Sequence, residues 1–162
     1  MIEKTRDRPR FPTDYGIDTS PEGMLEWATV EVALSGARTY WIATAGSRPH
    51  LTPIWGAWIA DHLFIEGGPT TRWARNLAAD PAATAGVDSS GLQVMVEGSV
   101  MLVEPDGDTY VAIASQYEAK YPYRPDPGAM YRLRPEKALA WSIASIEDFA
   151  ATPTRFKFEE EK

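Results

Sequence analysis

The stretch GPTTRWARNLAADP, beginning at Gly68, holds the residue types best suited to gripping an anion. Thr70 and Thr71 stand where a hydroxyl can cap a helix, Arg72 and Arg75 bring positive charge, and Pro81 stops the run. The opening amides of a helix lack internal partners and carry the positive end of the peptide dipoles. A phosphate placed there is held without burying an unpaired charge. The same residues would also cap and solvate a plain surface helix. Arg75, three positions on from Arg72, could instead reach along the helix to a carboxylate. Asn76 is open to two readings as well, a ligand contact or a bond to backbone within the fold.

Other chemistry is narrowed by what the chain lacks. With no Cys there are no disulfides, thiolate metal sites, iron–sulfur clusters or Cys nucleophiles. His50 and His62 are the only histidines, too few for an all-His metal site, so no metal site is expected. No GxSxG, HExxH or Walker sequence occurs, and Gly67 and Gly68 precede a helix without the GxGxxG pattern of a Rossmann turn. Glu97 in VMVEG could be a catalytic acid or could make a structural bond to the neighbouring Gly98 turn. Redox chemistry, if present, must therefore come from a bound organic cofactor. A net charge of -7 and a pI near 4.8 argue against DNA or an anionic membrane as the main partner. The N-terminal segment has no secretion-signal core and no apolar run approaches the roughly 20 residues of a membrane span, so a soluble cytoplasmic protein is expected.

These residues need a scaffold, and 162 residues make one ordinary domain. The expected division is an N-terminal arm over 1–19, a ligand-binding domain over 20–150 and a peripheral tail over 151–162. Ser20-Pro21-Glu22 reads as a helix start, followed by Leu25, Ala28 and Val32 at helical spacing. From Arg38 the texture turns β-branched and aromatic: RTYWIATA, PHLTPIWGAWIA, LFIEG, AATAGVD and LQVMVEGSVMLVE. A second helix spans about Gly107 to Lys120, and MYRLRP and ALAWSI suggest a last strand pair. Pro53 cannot donate to a ladder, so its strand needs an edge, a bulge or a ligand at that point. About six hairpin-linked strands with two or three helices favour a small closed or split antiparallel β-barrel with flanking helices. Among the Trp residues, Trp27 and Trp41 read as core. Trp55 and Trp58 face opposite sides of one strand, and Trp55, near Pro53, is the better wall for a flat heterocycle.

The run RTYWIATA, RPHLTPIW, LFIEGG, TTRWARNLAADP, VMVEG and YRLRPEKALAW resembles the FMN-binding split β-barrels of the pyridoxamine 5′-phosphate oxidase-like superfamily, which includes flavin- and deazaflavin-dependent oxidoreductases. The resemblance implies a homodimer with two cofactor sites at the subunit interface. It implies that Pro53, Ile54 and Trp55 lie against the isoalloxazine ring, and that Glu66, Gly67, Thr70, Thr71, Arg72, Trp73, Arg75 and Asn76 surround the ribityl-phosphate end. It also brings Trp141 in from the other subunit. The implied activity is hydride transfer between FMN and an unidentified small organic substrate. The alternatives are an F420-dependent reductase, a flavin or haem carrier without catalysis, and an empty interaction module.

Two departures qualify the resemblance. Many relatives carry Lys where this chain has Trp73, and an indole offers one N–H and a flat face in place of an ammonium. Either Arg72 and Arg75 compensate, or the ligand differs. Oxidases of vitamin B6 follow their C-terminal Trp with an Arg-containing signature. Here Trp141 is followed by SIASIEDFAATPTR, with no basic residue before Arg155, which argues against that substrate.

Overall fold

The computed structural model describes residues 2–159. Its centre is an antiparallel sheet whose strands β2 (Tyr40–Thr44), β3 (His50–Ile54), β6 (Ala82–Ser89), β7 (Leu92–Val103) and β8 (Met130–Ser142) run in the order β3-β2-β6-β7-β8. A short hairpin of β4 (Ala57–Ile59) and β5 (His62–Ile65) joins through β5 to the start of β8. The sheet is open at β3, which makes it a split barrel of mainly antiparallel strands with flanking helices.

Two hairpins close with two-residue turns in which both residues have positive φ, Ala60-Asp61 and Ser90-Gly91. That turn follows the natural twist of the strands it joins. Alternation fixes the inner face: Ile42, Ala85, Val87, Val94, Val96, Ala138 and Ala140 are buried against Val30, Ala33 and Leu34 of helix α1 (Trp27–Gly36). Helix α3 (Gly107–Lys120) covers the β4–β5 hairpin, with Ile113, Tyr117 and Tyr121 packed on Ala57, Phe64 and Met130. Asp106 caps it by accepting from the Thr109 amide at 2.8 Å.

Several sequence expectations are revised. The first helix starts at Trp27, with residues 20–26 outside it. MYRLRP and ALAWSI belong to one 13-residue strand, β8. Its alternation changes phase at Glu136, where the register against β7 shifts between Glu97 and Gly98. Gly98 sits at this irregularity because a Cβ there would lie 1.9 Å from the Arg134 carbonyl oxygen. The N-terminal arm and the tail are also structured. Strand β1 (Glu3–Asp7) pairs with β9 (Thr154–Glu159), β9 pairs with β8, and Phe156 is 1 % exposed in the main core. Asp7 ties the two strands through Arg155 at 2.6 Å and Lys157 at 3.0 Å. Residues 160–162 of the expected tail lie outside the described residues. No helix among the described residues is long and apolar enough to cross a membrane.

Candidate functional site

Strand β3 ends at Ile54 and β4 begins at Ala57, so the chain leaves the ladder for two residues, Trp55 and Gly56. Helix α3 and the residue after it support this break. Tyr117 donates its hydroxyl proton to the Trp55 carbonyl at 3.3 Å and accepts from the Glu66 amide at 3.2 Å. Tyr121 donates to the Gly56 carbonyl at 3.3 Å, and its hydroxyl accepts from the Gly56 amide at 3.2 Å. Lys120 donates to the same carbonyl at 3.2 Å and to the Tyr40 hydroxyl at 2.9 Å. Positions 117, 120 and 121 share one helix face, which is why one face can grip two consecutive peptides.

Above this break opens a cleft of about 420 Å³ lined by Thr39, Pro53, Ile54, Trp55, Glu66, Gly67 and Trp73. Trp55 lies on Tyr121 with ring centroids 4.6 Å apart and planes 6° from parallel. Glu66 is the only formally charged group on the lining, and its carboxylate accepts from the Tyr123 hydroxyl at 2.8 and 3.0 Å. The cleft thus combines flat apolar walls with one acceptor, a composition suited to a planar ligand that carries N–H or O–H donors.

Helix α2 (Arg72–Ala79) starts beside the cleft. Thr71, not Thr70, is its cap: the Thr71 hydroxyl donates to the Gly68 carbonyl at 2.9 Å and accepts from the Ala74 amide at 3.4 Å. The Thr71 amide bonds Gly68, so the amides of Arg72 and Trp73 open the helix without an intrahelical acceptor. Arg72 is exposed and makes one long bond, 3.5 Å, to the Arg48 carbonyl. Arg75 is committed, donating to the Thr70 carbonyl at 2.6 Å. Asn76 donates to the Thr44 hydroxyl at 3.0 Å and clamps the helix to the end of β2, away from the cleft lining.

Trp73 is 6 % exposed and meets Tyr131 edge to face, centroids 4.8 Å apart. Its position faces the core and the cleft wall, a place that suits an apolar ring. Gly67 lies against it so closely that a Cβ would come within 2.3 Å of the ring. Trp141 is not near these residues within one chain. It pairs with Gln93 near the far end of β8 from Tyr131 and meets Phe149 at 6.5 Å. Trp27 and Trp58 pack together in the core, but Trp41 is 47 % exposed on the outer sheet face, contrary to its reading as core.

Four supporting residues escaped the sequence reading: Tyr117, Lys120, Tyr121 and Tyr123. The signal was present as three aromatic or basic residues one helical turn apart followed by a Pro-rich loop, but nothing local tells that a helix end will meet a strand break. Burial pushes the Tyr40 and Tyr117 phenols well above the usual tyrosine range and lowers Lys120 from 10.5 to about 8. A second hollow of about 560 Å³ lies on the outer face near His50, Glu97 and Glu136. Its two carboxylates make it a poor seat for an anion, and Glu97 is paired with Lys137 at 2.7 Å.

No protein-family model matches the chain, and no curated protein does. Solved structures do. A conserved hypothetical protein from Mycobacterium tuberculosis, Rv2991, is 20% identical with a TM-score of 0.63, the match covering 76% of this chain and 88% of that one. A FAD-binding protein from Mesorhizobium loti is 15% identical with a TM-score of 0.59 over 99% of this chain and 100% of its own. An F420 reductase is 21% identical with a TM-score of 0.54 over 74% of this chain and 98% of its own. At these identities the likeness concerns architecture. The chain has the split β-barrel fold of these structures, which a putative pyridoxamine 5′-phosphate oxidase from Listeria innocua, 14% identical with a TM-score of 0.54 over 73% of this chain and 98% of its own, also shares.

Proposed function

We propose that the protein is an oxidoreductase that binds FMN in the Trp55 cleft and transfers hydride to or from a small organic substrate. The observation that carries this reading is the joining of flat apolar walls, Pro53, Ile54 and Trp55, to a helix start whose first two amides have no acceptor within the helix and which carries the exposed Arg72. Ring and phosphate have separate, chemically matched seats. When bound, the flavin would supply the two-electron chemistry. The chain's part is to orient the ring against Trp55, to accept a ligand donor at Glu66, and to hold the phosphate at the amides of Arg72 and Trp73.

The reading includes a homodimer. Pro53, Trp41, Gly86, Met95 and Leu139 form one row of register partners across β3, β2, β6, β7 and β8, and Trp141 lies two residues along β8 on the same outer face. Trp41, Leu51 and Pro53 are exposed there. A two-fold packing of this face on itself would carry Trp141 of one copy toward Pro53 of the other, the isologous arrangement expected of a dimer.

F420 is the second reading, favoured by the F420 reductase that shares the fold. Its longer, more anionic tail could be met by the basic N-terminal arm, but Arg6 and Arg8 there are engaged within the chain. Arg6 is bonded to Leu25 and Glu26, and Arg8 to Ser20, Glu22 and Pro153. The visible spectrum of freshly purified protein and the mass of the released ligand decide between these. A flavin spectrum with the mass of FMN is expected. A haem spectrum, or no chromophore and no uptake of added flavin or deazaflavin, would overturn the oxidoreductase reading.

A further inference from the structure

Lys120 is 8 % exposed, yet no carboxylate pairs with it among the described residues. Buried lysines are rare and ordinarily paired, because removing an ammonium from water is costly. Its proton donors go to two neutral oxygens, the Tyr40 hydroxyl and the Gly56 carbonyl. The Tyr40 hydroxyl in turn donates to the Leu34 carbonyl at 2.6 Å, so that oxygen offers its lone pairs to the ammonium. Every group facing Lys120 is neutral: Tyr40 from β2, Gly56 from the strand break, and Tyr117 and Tyr121 from its own end of α3. The nearest charges lie beyond these. Arg38 stands 5.8 Å from the Tyr121 ring, and Tyr117 meets Glu66 at its backbone amide while the Glu66 carboxylate is bonded by Tyr123. The cation therefore sits directly beneath Gly56, one residue from the Trp55 ring that walls the cleft.

We propose that Lys120 is a specificity-determining residue of the Trp55 cleft, a buried cation that offsets the Glu66 carboxylate on the lining and shifts the site's preference toward the anionic form of a planar ligand, or the more anionic redox state of one. This rests on the cleft being the ligand site. Lys120 acts without touching the ligand: protein and not water lies between the ammonium and the cleft, so its field is weakly screened there. At an effective dielectric of about 20, a unit charge acting across roughly 12 Å changes the preference between neutral and singly anionic forms by about tenfold. In its neutral form Lys120 keeps two N–H donors for the same two acceptors, so losing the proton changes the charge of the cleft floor with little change in shape.

The test reads the potential at Trp55 with no ligand bound. Quenching of Trp55 fluorescence by iodide, an anion, is compared with quenching by neutral acrylamide, the Trp55 signal being taken as wild type minus Trp55→Phe. The iodide-to-acrylamide ratio should fall as pH rises through about 8 in the wild type. It should be low and flat across that range in Lys120→Met, and high and flat in Lys120→Arg. A second arm reduces bound FMN: Lys120→Met should lower the affinity ratio of reduced to oxidised FMN about tenfold, some 30 mV for a two-electron couple, while Lys120→Arg retains it. Failure of FMN to bind would strike the functional reading alone, because the quenching arm does not use it. A wild-type ratio that ignores pH between 7 and 9.5, or a Lys120→Met profile that matches the wild type, would overturn the role of Lys120. Should Lys120→Met not fold, the pH course of the wild type, with the Lys120 side chain followed by NMR, decides the same question.

Discussion

Trp55 rests face to face on Tyr121, yet 53 % of it remains exposed. One ring face is occupied by the protein and the other is offered to the cleft, an arrangement that pre-orients a stacking platform. Trp55→Ala is expected to weaken FMN binding about tenfold or more, because stacking and apolar burial are lost together. Global stability should fall by only about 1 kcal/mol. Flavin fluorescence titration and urea denaturation separate the two effects.

Arg72 and Arg75 sit three residues apart with different commitments. Arg75 is bonded to the Thr70 carbonyl at 2.6 Å, whereas Arg72 makes one contact at 3.5 Å. Arg72→Ala should therefore cost about tenfold in FMN affinity and leave riboflavin, which lacks the phosphate, within about twofold. Arg75→Ala should change the FMN-to-riboflavin ratio less than about threefold. Equal losses for both flavins in Arg72→Ala would remove the phosphate assignment.

Gly67 leaves no room for a methyl group beside Trp73. Gly67→Ala is expected to destabilise the protein by about 2 kcal/mol through overpacking. Because the nearest ring atoms belong to the six-membered part of the indole, Gly67→Ala with Trp73→Phe should cost less than the two single changes summed. Denaturation midpoints check this, and strictly additive costs would contradict the contact.

Asp7 is held at about 2, below its usual 3.8, first by its hydrogen bond from Arg155 and then by Lys157. A lowered carboxyl adds stability that is complete above the unfolded value and disappears as pH falls through the folded one. Asp7→Asn should thus be less stable than the wild type at pH 6 and converge with it only below about pH 2. Since Asp7 is partly exposed, the difference should stay below about 1 kcal/mol and shrink with salt.

At Lys120 the fold disfavours the charged form instead of favouring it. The unfolded chain keeps the proton up to about 10.5 and the folded one releases it near 8, so the unfolded state binds more protons between those values. Stability then rises with pH across that window, by up to about 3 kcal/mol in total. Denaturation at stepped pH should show the rise in the wild type and not in Lys120→Met.

Much of the architecture could be read from local pattern. The strands from Tyr40 to Val103 and the span of α3 follow from alternation, turn residues and an Asp cap. The revisions arose where tertiary context outweighs pattern. Trp41 alternates correctly with Ile42, but which face a sheet leaves open is decided by where α1 packs. β8 read as two strands because the extra residue at Glu136 inverts its phase. The arm and tail looked peripheral because each is short and charged; paired, they bury Phe156.

The cleft was legible in part. Pro53, Ile54, Trp55, Glu66, Gly67 and Trp73 converge on one cleft, a grouping that the resemblance to the flavin barrels implied and that local pattern alone would not give. Asn76 and Arg75 carry polar groups that the fold itself consumes, and sequence cannot tell a consumed donor from a free one. Lys120 lies 65 residues from Trp55 in the chain and is joined to it only through the third dimension.

Titration of FMN into ligand-stripped protein, followed by flavin fluorescence alongside sedimentation, tests the central claim most directly. Saturable binding of one FMN per chain by a dimer, abolished when Trp55→Ala and Arg72→Ala are combined, is the predicted result. Saturation that survives both substitutions, or no binding by the folded wild type, would contradict the assignment of the cleft.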